Sequence, residues 1–453
     1  MRRWAVAAGV AVLAVGGGAL ALQGGGDDPP RGGVLGATAS RPPADVAAAK
    51  LRIGPTSRFD LSRGSPLPVR APGPGTVRVT VTGASGTAVA LGSAPLGGKG
   101  TARLRVAAPA AKALGGCALA RVTVTVRGRG GLVTARRTQA LPAQPPVCGR
   151  FFGPGAVWNQ RADRAPLDEW SGRLVKLLSD QVEQGFAANF APTINWGNYS
   201  APVYTVPAGQ PRVPVTLVGS RTSYGQALAA QLAQGVPIPQ GARAAWGSDH
   251  HLVIWQPATD TMWELWQADD SAGKWTAQWG GRMDGVSRSP GFFSDPSGIQ
   301  PGATATSLPL VGGLITRADL ARGDINHALA MAIPSSAYAA WSYPAQRSDG
   351  GTKEFAIPAG ARFRLDPKFD VDALDAPPFT KLLARAAQRY GIYVRDTSPT
   401  VVLYAEDPAA IGSDPWKAAI TPSPAEVLRA FPWDHLQVTK MDLYTYSGQR
   451  VKR

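Results

Sequence analysis

The chain has 453 residues and a formal net charge of +16, which allows two or three domains. Residues 1–150 hold 20 basic and 4 acidic residues, whereas residues 151–453 hold 27 of each. Because the excess is confined to the first third, it predicts a basic module attracted to anionic polymers or lipid headgroups. The sequence has no Gly-rich phosphate loop, no G-x-S-x-G motif and no H-E-x-x-H motif, which excludes three common catalytic and nucleotide-binding signatures.

The N-terminus carries a predicted export signal. Met1–Arg3 is basic, Trp4–Leu22 contains no charged residue, and Ala19–Ala21 resembles a small-x-small cleavage site. This layout is typical of a secretory signal over residues 1–23, and the apolar run is also long enough to be an uncleaved membrane anchor. No cysteine directly follows the run, which excludes a lipoprotein anchor. The arginines ahead of it predict an extracellular protein, or one held at the outer face of the plasma membrane.

Residues 24–50 are rich in glycine, proline and alanine and predict a disordered linker. Residues 51–149 then alternate apolar and polar side chains at period two in Thr76–Thr82, Ala102–Val106 and Val122–Arg127. Short alternating runs separated by glycine and proline predict a small Ig-like β-sandwich. We expect this basic module to be a spacer or to bind an anionic cell-wall polymer, and we expect no nucleic acid partner.

Cys117 and Cys148 are the two cysteines of the chain. In an oxidising compartment such a pair predicts one structural disulfide. The bond would close the end of the basic module.

The remaining part, residues 150–453, holds 12 of the 13 tryptophans and all tyrosines and histidines, so any chemistry is expected there. Helical spacing predicts helices over Leu167–Phe190, Ser223–Ala233 and Pro378–Tyr390, the last ended by Gly391. Strand-like runs lie around them: Leu252–Gln256, Thr261–Ala268, Lys274–Arg282, Ile392–Asp396 and Val401–Ala405. The chain is therefore predicted to be mainly β, with a small N-terminal β-sandwich followed by a larger jelly-roll-like β-sandwich domain with a few packed helices.

The segment Trp246–Arg282 predicts a three-stranded antiparallel meander, because Pro257–Asp260 and Asp270–Gly273 have turn compositions. Side chains alternate along a strand, so pairing of Gln256 with Thr261 fixes the two faces of the first hairpin. One face then carries Leu252, Ile254, Trp263 and Leu265, and the other carries His251, Val253, Trp255, Met262, Glu264 and Trp266.

The second of these faces combines a carboxylate, an imidazole and indoles, a mixture that suits sugar binding and acid–base catalysis. The predicted catalytic residues are Glu264, Asp249, His251 and His327. The predicted ligand-binding residues are Trp255, Trp266, Gln278, Arg347 and Asp349. Each has a structural alternative: Glu264 would be a solvated strand residue and His327 a hydrogen-bonded core histidine. Adjacent histidines on a strand point to opposite faces, so Asp249–His251 predicts no metal site, and no cofactor is implied.

The second domain resembles a largely uncharacterised family of secreted bacterial β-rich proteins over about residues 151–440. The residues that carry the resemblance are Val157–Asn159, Ala165–Asp168, Val203–Pro207, Gly247–His251, Thr261–Trp266, Gly302–Leu310, Ile325–Leu329, Tyr343–Gly350 and Arg389–Asp396. The resemblance implies an exported protein with one large domain, and it implies no particular activity.

Two functions fit these patterns. The first is a glycoside hydrolase or polysaccharide lyase that acts on a cell-wall or extracellular polysaccharide at the cell surface. The alternative is a non-catalytic protein that binds a wall polymer or has a structural role. The enzyme hypothesis requires Asp249, His251, Glu264 and His327 to meet in one cleft, whereas the alternative does not.

Overall fold

The structure is a computed structural model that describes residues 50–71, 73–82, 88–97, 101–104, 120–141, 150–218, 223–293, 301–445 and 449–451. The predicted export signal (residues 1–23), residues 24–49 of the predicted linker, and Cys117 and Cys148 lie outside these residues. Within the described residues no helix is both long and apolar enough to cross a bilayer.

The chain is mainly β, with 32% strand against 21% helix. The strands are β1 (Arg52–Ile53), β2 (Leu67–Arg70), β3 (Thr76–Thr82), β4 (Ala88–Pro95), β5 (Thr101–Leu104), β6 (Ala120–Arg127), β7 (Val133–Leu141), β8 (Thr193–Asn195), β9 (Val203–Thr205), β10 (Thr216–Leu217), β11 (Leu252–Gln256), β12 (Thr261–Trp266), β13 (Thr276–Ala277), β14 (Trp279–Asp284), β15 (Leu329–Ile333), β16 (Ser336–Ser342), β17 (Ile357–Ala359), β18 (Arg362–Leu365), β19 (Ile392–Thr397), β20 (Val402–Tyr404), β21 (Leu436–Val438) and β22 (Leu443–Thr445). The α-helices are α1 (Arg58–Ser62), α2 (Ser171–Ala187), α3 (Ser223–Ala233), α4 (Arg317–Arg322), α5 (Pro378–Tyr390), α6 (Trp416–Ala419) and α7 (Pro424–Arg429). The prediction of a β-rich, sandwich-like chain with few helices is confirmed.

The N-terminal part packs two antiparallel sheets around one core. One sheet has the strand order β1-β2-β5 and the other β4-β3-β6-β7. Alternation along β3 and β6 turns their valines inward, where they are almost fully buried with Leu67 and Val69 of the facing sheet. The Asp60 carboxylate accepts a hydrogen bond from Ala208 N at 3.0 Å, which joins this part to the following residues.

Two larger sheets face each other in the rest of the chain. One has the order β14-β12-β11-β9 and the other β21-β18-β19-β15-β20-β8. Val253, Met262, Ala330 and Val402 belong to the apolar layer between them. The outer side of the four-stranded sheet packs on α3, and the outer side of the six-stranded sheet packs on α2, α5 and α7.

The predicted hairpin register is confirmed: Gln256 pairs with Thr261, Val253 with Glu264 and Trp255 with Met262. Strand β14 continues the antiparallel meander beside β12. Strand β9 adds to β11 in the parallel direction, a pairing that the local pattern did not predict.

The predicted helices Ser223–Ala233 and Pro378–Tyr390 are confirmed. Gly391 ends the second helix with φ +81° and donates its N–H to Ala386 O and Ala387 O. Glycine adopts this conformation readily because it has no Cβ, and it is therefore common at helix C-termini. The first predicted helix begins at Ser171 rather than Leu167. The reason is that the Asp168 carboxylate accepts hydrogen bonds from Trp170 N and Met441 N, which fixes a turn there.

Candidate active site

A cleft of about 1190 Å³ opens at one end of the two facing sheets. Strands β11, β14 and β20 begin there, and β12 and β19 end there. Its lining is rich in aromatic rings and polar side chains. The rings belong to Phe190, Tyr199, Trp266, Trp279 and Tyr404, the carboxylates to Asp249, Asp349 and Asp396, and the amides to Asn189, Asn195, Asn198 and Gln278. A concave site that combines aromatic rings with convergent polar groups is typical of ligand binding.

The backbone near the cleft is strained. Asn189, Tyr199, His250, Gln267 and Ser307 all have φ between +41° and +64°. Two of them line the cleft, and the others are next or close in sequence to lining residues. Left-handed backbone is uncommon for residues other than glycine, and such strain concentrates at functional sites.

Asp249 and His251 enter the cleft from the segment ahead of β11. Asp249 Oδ1 accepts a hydrogen bond from Trp266 Nε1 at 3.3 Å, so the carboxylate lies at the edge of the indole. His251 is 5% exposed, and its Nδ1 makes no hydrogen bond within the described residues. Burial lowers the pKa of His251 to about 4; the charge of Asp249 opposes the shift and that of Arg395 adds to it. The imidazole is therefore neutral near pH 7.

Asp396 reaches the cleft from the end of β19. Its Oδ1 accepts hydrogen bonds from Thr397 N at 3.0 Å and Ala305 N at 3.4 Å. Burial raises the pKa of this half-buried carboxyl to about 7; the charges of Asp349 and Asp249 add to the shift and Arg395 opposes it. Asp396 thus holds a proton over a range of pH in which ordinary aspartates have lost theirs.

Asp349 and Tyr404 complete the group around Asp396. Asp349 Oδ2 accepts a hydrogen bond from Thr397 Oγ1 at 3.1 Å, which holds it beside the strand end. Tyr404 is buried, and burial together with the charge of Asp396 raises its pKa. The guanidinium of Arg395 lies 4.2 Å over the Tyr404 ring, a cation–π contact that fixes the ring.

Glu264 lies behind the wall of the cleft and is fully buried. Its carboxylate accepts hydrogen bonds from Ala303 N at 2.6 Å and Leu310 N at 2.8 Å. Burial raises the pKa of Glu264 to about 7, and these two N–H donors oppose the shift. Ala303 itself lines the cleft, so Glu264 holds the wall in place rather than facing the cavity. It is not the solvated strand residue of the structural alternative.

Arg347 and Gln278 line the cleft, as do Trp266 and Asp349 from the same predicted set. Arg347 Nη2 donates to Gly302 O at 3.0 Å and to Thr304 O at 2.8 Å. The guanidinium therefore also clamps the segment that forms one wall. Burial lowers the pKa of Arg347, against the charges of Asp396, Glu264 and Asp349.

Two predicted residues are placed away from the cleft. His327 is buried, with Nδ1 2.8 Å from Ala328 O and Nε2 3.2 Å from Asp319 Oδ2. Trp255 is 3% exposed and meets the Phe151 ring edge-on. The expected convergence of four catalytic residues is therefore corrected: Asp249 and His251 share the cleft, Glu264 supports its wall, and His327 and Trp255 belong to the interior.

The sequence interpretation missed Asp396, Tyr404, Tyr199 and Trp279, all of which line the cleft. Asp396 was visible only as the last residue of a predicted strand within the family-like motif Arg389–Asp396. A carboxylate at the end of a strand can be recognised in a sequence. The charges that raise its pKa, however, belong to Asp249 and Asp349, and no local sequence pattern shows that these residues lie beside it.

Among the described residues, no group of three or more histidine, cysteine, aspartate or glutamate side chains is arranged to hold a metal ion. No protein-family model, no curated protein and no solved structure matches this chain. The resemblance to a secreted bacterial family therefore stays a prediction.

Proposed function

We propose that the cleft binds a polysaccharide and hydrolyses a glycosidic bond, with Asp396 as general acid and Asp249 as the partner carboxylate. This pair replaces the set of four catalytic residues predicted from the sequence, which does not meet in the cleft. The observation that carries the proposal is that Asp249 and Asp396 share one cavity with several exposed or half-buried aromatic rings. Glycoside hydrolysis requires one carboxylic acid and one carboxylate on either side of the bond. Indole and phenol rings provide flat faces for the C–H-rich side of a pyranose.

The two carboxyl groups have different environments, which suits one to act as general acid and the other as general base. Asp396 has a pKa raised to about 7 by burial and can give a proton to the glycosidic oxygen as the C–O bond breaks. The Asp249 carboxylate takes a proton from the water that attacks the anomeric carbon. The products are a new reducing end and an alcohol; Asp249 then releases its proton to solvent and Asp396 takes one up, which restores both groups.

The charge of the cleft favours a hydrolase that acts on a neutral glycan over a uronate lyase. Among the described lining residues Arg347 is the single permanently positive group, against three carboxyl groups. A lyase must neutralise the carboxylate of its uronate substrate, which this surplus of acidic groups works against. The proposed setting is the cell surface, with a wall or extracellular polysaccharide as the substrate, in keeping with the predicted export signal.

The test is a panel of neutral and acidic wall polysaccharides, followed for new reducing ends and for the ultraviolet absorbance of unsaturated uronates. With a substrate in hand, D396N and D249N are each expected to lower kcat by about 10²- to 10⁴-fold while changing the dissociation constant only a few-fold. The wild-type rate should fall as the pH rises through about 7, because Asp396 then loses its proton.

D372N is the matched control, since the Asp372 side chain is 83% exposed and pairs with Arg385 at the surface. Equal loss of rate in D372N would argue against the assignment. Unsaturated products would make the protein a lyase. Retention of a glycan without any product would make it a binding protein, which is the alternative to catalysis.

A further inference from the structure

The outer face of the sheet β4-β3-β6-β7 carries a row of arginines that the cleft does not use. Its register places Arg78 opposite Thr125, which in turn pairs with Arg136. Arg121 and Arg127 pair with Thr82 and Thr76. Because the valines between these residues point into the core, all four arginines point outward, and all four are exposed. We call these four residues the arginine face.

The arginine face has no acidic counterpart. No aspartate or glutamate occurs between Asp60 and Asp163 in the sequence. Within the described residues, no ion pair involves Arg78, Arg121, Arg127 or Arg136. A guanidinium can bind a carboxylate or phosphate through two parallel hydrogen bonds, so the surface is suited to an anionic partner.

The arrangement of the charges suits an extended polymer. Arg121 and Arg127 are six residues apart on one strand, or about 20 Å, and Arg78 and Arg136 are two strands apart, or about 10 Å. Threonines at outward positions between them are exposed or half-buried: Thr76, Thr80, Thr82, Thr125 and Thr138. Their hydroxyl groups can hydrogen-bond to sugar hydroxyls between the charged points.

Two other anionic partners fit the surface less well. Membrane-surface proteins insert apolar side chains into the bilayer. The exposed apolar residues Leu132 and Val133 lie at the β6–β7 turn, whereas the four arginines are spread over β3, β6 and β7. Single-stranded nucleic acid binds through aromatic side chains on which its bases stack, and residues 51–149 contain no Trp, Tyr or His.

We propose that the arginine face binds an extended anionic polysaccharide, with guanidinium groups on its acidic substituents and threonine hydroxyls on its sugar hydroxyls. This binding does not depend on the activity proposed for the cleft. It gives the basic part of the chain the role of holding the protein on an acidic matrix.

The test compares the full chain with R78Q/R121Q/R136Q and with the control R52Q/R70Q/R103Q. The control arginines are also exposed and belong to the other sheet of the same module, so both variants remove three charges. The probes are polygalacturonate, vesicles that contain phosphatidylglycerol, and single-stranded DNA, each titrated at several salt concentrations.

We expect the first variant to bind polygalacturonate at least 10-fold more weakly at low salt and with a shallower dependence on salt, because fewer counterions are released. The control should stay within about threefold of wild type. Equal weakening in both variants would overturn the proposal in favour of a general charge effect. Tighter binding to vesicles or to DNA than to polygalacturonate would overturn it in favour of that partner.

Discussion

Glu264 shows how one buried side chain serves the cleft without entering it. Both carboxylate oxygens accept a backbone N–H, from Ala303 and from Leu310. These donors belong to a segment with no regular secondary structure, so the carboxylate replaces the hydrogen bonds that a strand would have supplied. The group is fully buried, and its desolvation raises its pKa to about 7.

We predict that E264Q changes the pH dependence of the free energy of unfolding. The folded pKa of about 7 lies above the ordinary value of 4.5, so the folded state holds an extra proton between these values. The Glu264 contribution to the free energy of unfolding is present below pH 4.5 and is lost as the pH rises through 7, by an amount on the order of 3 kcal/mol. A glutamine at this position cannot titrate, and its amide group would face one of the two donors, so E264Q should be less stable at pH 5 by about 1–3 kcal/mol. The difference should shrink toward pH 8.

The measurement is urea unfolding at several pH values between 5 and 8, followed by tryptophan fluorescence. E354Q is the control, because Glu354 is an exposed residue. Parallel stability curves for wild type and E264Q across this range would contradict the assignment of the shifted proton to Glu264.

The pairing of the hairpin β11–β12 was predictable from the sequence. The four-residue turn Pro257–Asp260 suggests that Gln256 pairs with Thr261, and this pairing assigns every side chain of the two strands to a face. That register is the one observed. The group around Asp396 was not predictable, because Asp249, Ala305 and Asp349 reach it through tertiary packing between two sheets. The periodicity of a local sequence carries no information about such tertiary contacts.

The segment Pro301–Leu314 is the element most dependent on side-chain anchors. Arg347 donates to Gly302 O and Thr304 O, Arg395 donates to Leu310 O and Gly312 O, and Glu264 accepts from two further peptide groups. We predict that R347K loosens this wall of the cleft, because the single ammonium of a lysine does not reproduce a guanidinium fork.

Hydrogen–deuterium exchange should detect the change as faster exchange of amides in residues 301–310 of R347K. R385K is the matched control. Arg385 lies on helix α5 and forms an ion pair with Asp372 of the preceding loop, and both side chains are exposed. Unchanged exchange in R347K would mean that Glu264 and Arg395 hold the segment without Arg347.

Across the molecule, burial raises the pKa of four acidic groups. Burial raises the pKa of Glu264, Asp396 and Glu406 to about 7 and that of Asp407 to about 6. Glu406 and Asp407 are fully buried, and each has one carboxylate oxygen without a hydrogen bond among the described residues. Their ionisation is therefore costly in the folded state.

These groups predict that the folded chain is most stable in mild acid. Each raised carboxyl stabilises the fold below its ordinary pKa and loses that contribution as the pH rises through 6 to 7. His251 acts in the opposite direction: its pKa is lowered from 6.5 to about 4, so its contribution is lost as the pH falls between these values. Because four groups act against one, the free energy of unfolding is expected to decline from pH 5 to pH 8. Intrinsic fluorescence can follow the melting temperature of the relevant part, because 12 of the 13 tryptophans lie after residue 150 with all five groups. A melting temperature that rises from pH 5 to pH 8 would contradict the burial of these carboxyl groups. A melting temperature that does not change with pH would mean that water reaches the four carboxyl groups and returns their pKa values to the ordinary range.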